Sequence, residues 1–124
     1  MKITFYKCNA NGNTFIIILH SNSIPNNFFN IEKIKDICYL SNKELVDGLI
    51  VVNIKENLFN MDYYNNDGTW ETFCLNGLRC VSLLISEKMK IKNIDIICNK
   101  MVFKTIILND HFVQVKLPEP YYKS

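Results

Sequence analysis

Between Leu78 and Ile85 apolar residues recur at helical spacing, and Leu78, Val81, Leu83, Leu84 and Ile85 cover more than one side of the helix they would form. A helix of that kind is unstable on a surface and has to be enclosed by the rest of the chain. The pattern predicts a helix from Asn76 to about Met89. Most of the remaining sequence reads as strand. Lys2 to Cys8 alternates apolar and polar residues, and Thr14 to Leu19 is a short run rich in β-branched residues, joined to it through an Asn- and Gly-rich loop at Asn9 to Asn13. Gly48 to Asn53 is continuous apolar sequence of strand length, and Leu58 to Tyr64 leads into a turn at Asn65, Asn66, Asp67 and Gly68, from which Thr69 to Phe73 returns as a partner strand.

Ile94 to Cys98, Met101 to Leu108 and His111 to Leu117 are three further strand candidates, with Asn99-Lys100 and Asn109-Asp110 suited to two-residue turns. After the polar, Pro25-containing stretch from Ser21, Asn30 is placed to cap a second helix over about residues 31–41, with Ile31, Ile34, Ile37, Cys38 and Leu40 on its buried face. The expectation is an α+β protein, a strand-rich meander with two helices, in one domain covering residues 1–124.

Composition narrows the function. The 124 residues are 48% hydrophobic, enough for a real core. The 14 basic and 12 acidic residues are scattered, without the clustered Lys/Arg face that nucleic-acid binding requires, so no nucleic-acid partner is expected. The N-terminus lacks the apolar core of a signal peptide, and the longest apolar run, Phe15 to Leu19, is far too short to span a bilayer. A cytoplasmic protein with no membrane partner is expected. Five cysteines, with no C-x-x-C pair, suggest neither a disulfide framework nor a metal site. Cys8, Cys38 and Cys98 read as small buried hydrophobes and Cys80 as a core residue of the predicted helix. Cys74 is different. It stands just before that helix, where unpaired N–H groups and the positive end of the macrodipole stabilise a thiolate, and a reactive cysteine needs a lowered pKa.

Asn65, Asp67-Gly68, Cys74, Asn76-Gly77 and Arg79-Cys80 resemble the N-D-G...C-G-N-G-x-R-C signature of diaminopimelate epimerases, amino-acid epimerases that work without pyridoxal phosphate. Asn11-Gly12-Asn13-Thr14-Phe15 is similar to the family's opening G-N-D-F element, and Val46-Asp47-Gly48-Leu49 to its A-D-G-L element, in the same order. The resemblance runs from about Ile3 to Pro118. It implies a strongly curved mixed sheet wrapped around a central helix, here about residues 76–89, and a small amino-acid substrate handled without a cofactor. It also implies a two-base mechanism in which one cysteine takes the α-proton from one face and a second returns it from the other. Cys74 matches one of those cysteines. The resemblance further implies that Asn76 and Gly77 hold the substrate carboxylate through main-chain amides, that Asn13 and Asn65 bind its polar groups, and that Leu75 also belongs to the substrate-binding set.

The chain also departs from the family pattern. Leu75 stands where the family has glycine, so its side chain could crowd the substrate or forbid a backbone angle open to glycine. The family is built from two similar halves, and the resemblance here covers the first. Three readings stay open: half of an epimerase completed by a second half or by another copy of itself, a domain that binds an amino acid without turning it over, and an interaction module. Of the other polar residues, Arg79 either pairs with a carboxylate or lies on the helix surface. Trp70 and Tyr64 are expected to pack the hairpin, and His20 and His111 to be exposed at strand ends.

Overall fold

The computed structural model describes residues 4–10, 12–21, 28–39, 45–71, 74–109 and 112–116. Strands β1 (Phe5–Ala10) and β2 (Asn13–His20) form an antiparallel pair whose tight turn uses Gly12 at φ 87°, a conformation suited to a residue without Cβ. The chain then crosses through helix α1 (Ile31–Tyr39) to β3 (Gly48–Lys55), which lies parallel to β2. Strand β4 (Leu58–Asn65) returns antiparallel to β3 through Glu56 and Asn57, both at positive φ as the favoured hairpin turn requires. The far end of β4 pairs with the short β5 (Trp70–Glu71), and its near end pairs in parallel with β6 (Asn93–Cys98) after a crossover through α2 (Leu75–Met89). Strands β7 (Met101–Ile107) and β8 (Val113–Lys116) complete the sheet by antiparallel pairing.

The two crossover helices cover opposite faces. Ile16, Ile18, Leu49 and Val51 pack with Ile34, Ile37 and Cys38 of α1, whereas Phe15, Ile17, Ile50 and Val52 pack with Leu78, Val81 and Ile85 of α2. Strands β2 and β3 are therefore buried on both faces, which is why they read as continuous apolar runs. Helix α2 touches β1 and β2 at one end of the sheet order and β6, β7 and β8 at the other. The sheet must curl to reach it from both sides, as the apolar breadth of that helix demands. Leu78, Val81 and Ile85 are fully buried, each contributing about 1.5–3 kcal/mol relative to exposure. Ser82 is accommodated in the core because its Oγ donates to the Leu78 carbonyl at 2.8 Å.

Several expectations change. Two of the strand pairings are parallel, so the sheet is mixed as the family resemblance implies, whereas the strand-by-strand patterns alone predict a meander. Asn9, Ala10 and Asn13 belong to the first hairpin's strands, and α2 begins at Leu75, one residue earlier than its apolar pattern shows. Ile31 is 54% exposed and lies outside the cluster that Ile34, Ile37 and Cys38 form with the sheet, although its side chain covers Gly68. Cys8 is half-buried, since it lies on an edge strand. The expected positions at Leu40, Ser41, Phe73, His111 and Leu117 fall outside the described residues. No described helix is long and apolar enough to cross a membrane.

Candidate active site

The three sequence motifs meet at one end of the sheet. The Thr14 N–H donates to Asp47 Oδ2 at 2.7 Å and the Asp47 N–H donates back to the Thr14 carbonyl at 2.8 Å, so the motif opening β2 is tied to the one opening β3. Asn66 then fastens the β4–β5 turn to the same loop, its N–H donating to the Asp47 carbonyl at 3.2 Å and its Nδ2 to the Val46 carbonyl at 2.9 Å. Within that turn Asp67 Oδ1 accepts from both the N–H and the hydroxyl of Thr69, and the hydroxyl bond comes first among the causes that hold its carboxyl below the usual range. Gly68 closes the turn at φ 92° against Ile31.

Cys74 is the N-cap of α2. Its backbone is extended, its carbonyl accepts the first helical bond from Leu78 at 2.9 Å, and its Sγ accepts from the Gly77 N–H at 3.3 Å. A thiol thus fills the place that a Ser or Asp side chain usually takes at a helix start. Gly77 is needed there for packing, since a Cβ would lie 2.8 Å from Ile50 Cδ1 and 3.4 Å from the sulfur. The net effect on the thiol corrects the expected lowered pKa. Burial pushes Cys74 up, and the N–H groups of Gly77 and Asn76, which pull it down, do not overcome that.

The structure brings Asn13 and Asn76 together, with Asn76 Nδ2 donating to Asn13 Oδ1 at 2.8 Å across the gap between β2 and α2. Asn65 stands on the same sheet face and donates through Nδ2 to Glu71 Oε1 at 2.9 Å and to Thr69 Oγ1 at 3.2 Å. Leu75 takes ordinary helical geometry and is 40% exposed, so the backbone freedom of glycine is not required at that position. Arg79 lies on the exposed face of α2, Cys80 is in the core as expected, and Trp70 faces Tyr64 across the hairpin while donating to Asp62 at 3.3 Å. Tyr63 belongs to this end of the sheet and reads in the sequence only as one more inward residue of β4. Its alternation with Phe59 and Met61 gives its face and nothing about its hydroxyl.

The fold is a curled mixed sheet around a helix that starts at a cysteine, and known proteins share it. No family model matches the chain. Diaminopimelate epimerase of Thermotoga maritima is 31% identical over 110 residues, 88% of this chain and 44% of that protein, and the Pelagibacter ubique enzyme is 29% identical over 121 residues, 97% and 43%. The chain is a homologue of the diaminopimelate epimerases and spans under half the length of these relatives. Among solved structures, a phenazine biosynthesis PhzC/PhzF protein from Clostridium difficile superposes with a TM-score of 0.68 over 85% of this chain and 40% of its own, at 12% identity. A PhzF-family protein from Enterococcus faecalis superposes with a TM-score of 0.67 over 86% and 41%, at 8% identity. These two show the fold.

Proposed function

We propose that the chain supplies one side of a cofactor-independent amino-acid epimerase centre, with Cys74 as acid and base on one face of the substrate α-carbon. The group on the other face comes from a second epimerase-like half or from a second copy of the chain. The observation that carries this reading is the convergence of three separated motifs on a cysteine capping α2. In one direction the partner's base takes the α-proton, the electron pair is held as negative charge developing on the substrate carboxylate, and the Cys74 S–H proton goes to carbon on the opposite face. The reverse direction uses Cys74 as thiolate. The start of α2, at Leu75, Asn76 and Gly77, favours the carboxylate electrostatically, while Asn13 and Asn65 line the site and fix its polar groups.

The test is exchange of the α-proton of diaminopimelate in heavy water, followed by NMR. Exchange is expected when the chain is mixed with the C-terminal half of a diaminopimelate epimerase, or at high concentration of the chain itself, and is expected to vanish in Cys74→Ala. No exchange under either condition, where an intact relative exchanges, rules the reading out. A second reading is favoured by burial pushing the Cys74 thiol up, which suits a chain that binds an amino acid without turning it over. In that case calorimetry detects binding that survives Cys74→Ser, and no partner produces exchange.

A further inference from the structure

The α2-facing side of the sheet carries a polar group that the centre described above does not use. Directly opposite residues of paired strands share a face, and residues two apart on a strand return to it. Tyr6, Ile17, Ile50, Tyr63 and Glu71 therefore form one row across the sheet. Cys8, Phe15, Gly48 and Asn65 form the next row, nearer the site. Gly48 leaves a gap in that second row, and the Tyr63 ring leans into it, since a Cβ on Gly48 would lie 2.8 Å from the phenol oxygen. The ring is held edge-on against Phe15, with centroids 5.8 Å apart and an interplanar angle of 75°. Its hydroxyl thus stands in the same row as Asn65 and beside the Asp47-Gly48 loop.

Tyr63 is only 7% exposed, and among the described residues no group hydrogen-bonds its hydroxyl. No buried side-chain polar atom among them lacks a partner, so the phenol oxygen is the part of Tyr63 that remains open. Burial, and then negative charge on Cys74, Asp47 and Glu71, pushes the phenol up to about 12. It is an O–H donor at any physiological pH. One oxygen of each neighbouring carboxylate is engaged, Asp47 Oδ2 by the Thr14 N–H and Glu71 Oε1 by the Asn65 amide.

We infer that the Tyr63 hydroxyl is a ligand-binding group of the Cys74 site, donating a hydrogen bond to a carboxylate oxygen of the molecule held there. This rests on reading the Cys74 site as one for an amino acid. A zwitterion suits the surroundings, because the phenol and the start of α2 favour a carboxylate while Asp47 and Glu71 favour an ammonium group.

The test uses the chain alone and two alkylating agents with the same reacting carbon. Iodoacetate carries a carboxylate and iodoacetamide a neutral amide, so the ratio of their rates at Cys74, read by peptide mass spectrometry, reports donors placed for an anion. Tyr63→Phe keeps the ring and its contact with Phe15 and removes only the hydroxyl. The ratio at Cys74 should fall about fivefold, the advantage of a charged over a neutral acceptor, with the iodoacetamide rate unchanged. The ratio at Cys8 in the same sample should not move, because loosening of the fold would shift both. An unchanged ratio at Cys74, or an equal fall at Cys8, overturns the inference. Failure of α-proton exchange with a partner half would leave this outcome untouched, so the two readings fail separately.

Discussion

Two opposed effects act on the sulfur at position 74, and the balance differs at position 8. Burial dominates at Cys74, whereas at Cys8 the largest effect is the hydrogen bond from the Cys80 thiol, which draws Cys8 below the usual thiol range while Cys80 rises far above it. The thiolate is the nucleophile, so reactivity should follow this order and not the order that the helix start alone suggests. In the folded chain near neutral pH, limiting iodoacetamide should label Cys8 ahead of Cys74, and Cys80→Ala should remove that lead. Peptide mapping that finds Cys74 first would show the helix dipole outweighing burial. The gap at Gly48 supports a second expectation at this scale. Its Cβ would lie 2.7 Å from the Tyr64 carbonyl oxygen, which is backbone and cannot give way, so Gly48→Ala should cost about 2 kcal/mol in chemical denaturation. A neutral result would mean that strands β3 and β4 separate easily there.

The helices and turns show how far local chemistry carries. Asn30 caps α1 as its sequence position suggests, its Oδ1 accepting from the Lys33 N–H at 2.8 Å, and Asn99-Lys100 makes a turn with both φ positive. Both features depend on a few neighbouring residues, and such features are readable in sequence. At the other end of α2, Lys90 holds the left-handed cap at φ 59° and φ of that sign strains any residue with a Cβ. Lys90→Gly should therefore raise stability by about 0.5 kcal/mol after allowing for glycine's freedom in the unfolded chain, and a lowered melting temperature would contradict this. What sequence leaves unread is nonlocal. The parallel pairing of β2 with β3 and of β4 with β6 joins segments separated by a helix, and no local pattern names the partner. The site divides in the same way: Cys74, Asn76 and Gly77 are visible as a motif, whereas the phenol of Tyr63 becomes polar furniture of the site only because a glycine two strand positions away, on another strand, leaves room for it.

On the scale of the whole molecule, the curled sheet separates two apolar layers, and both contain buried thiols, Cys38 in one and Cys80 and Cys98 in the other. Cys38 lies in the layer under α1 and Cys98 in the layer under α2, with 0% and 3% exposure. Burial raises each from the ordinary 9.0 to about 11. Because the folded pKa lies above the unfolded one, the folded state binds more protons between those values, and stability must fall as pH rises through the window. It is fully present below about pH 9 and lost by about pH 11, at on the order of 2 kcal/mol per thiol. Both layers share β2 and β3, so loosening either one weakens the support of the other. Denaturation midpoints measured across this window should drop steeply for the native chain and less for a Cys38→Val, Cys98→Val double variant, with each single variant recovering part of the difference. A double variant that loses stability as steeply as the native chain would place the alkaline sensitivity elsewhere, in the Cys80 thiol or in the Tyr63 phenol at about 12.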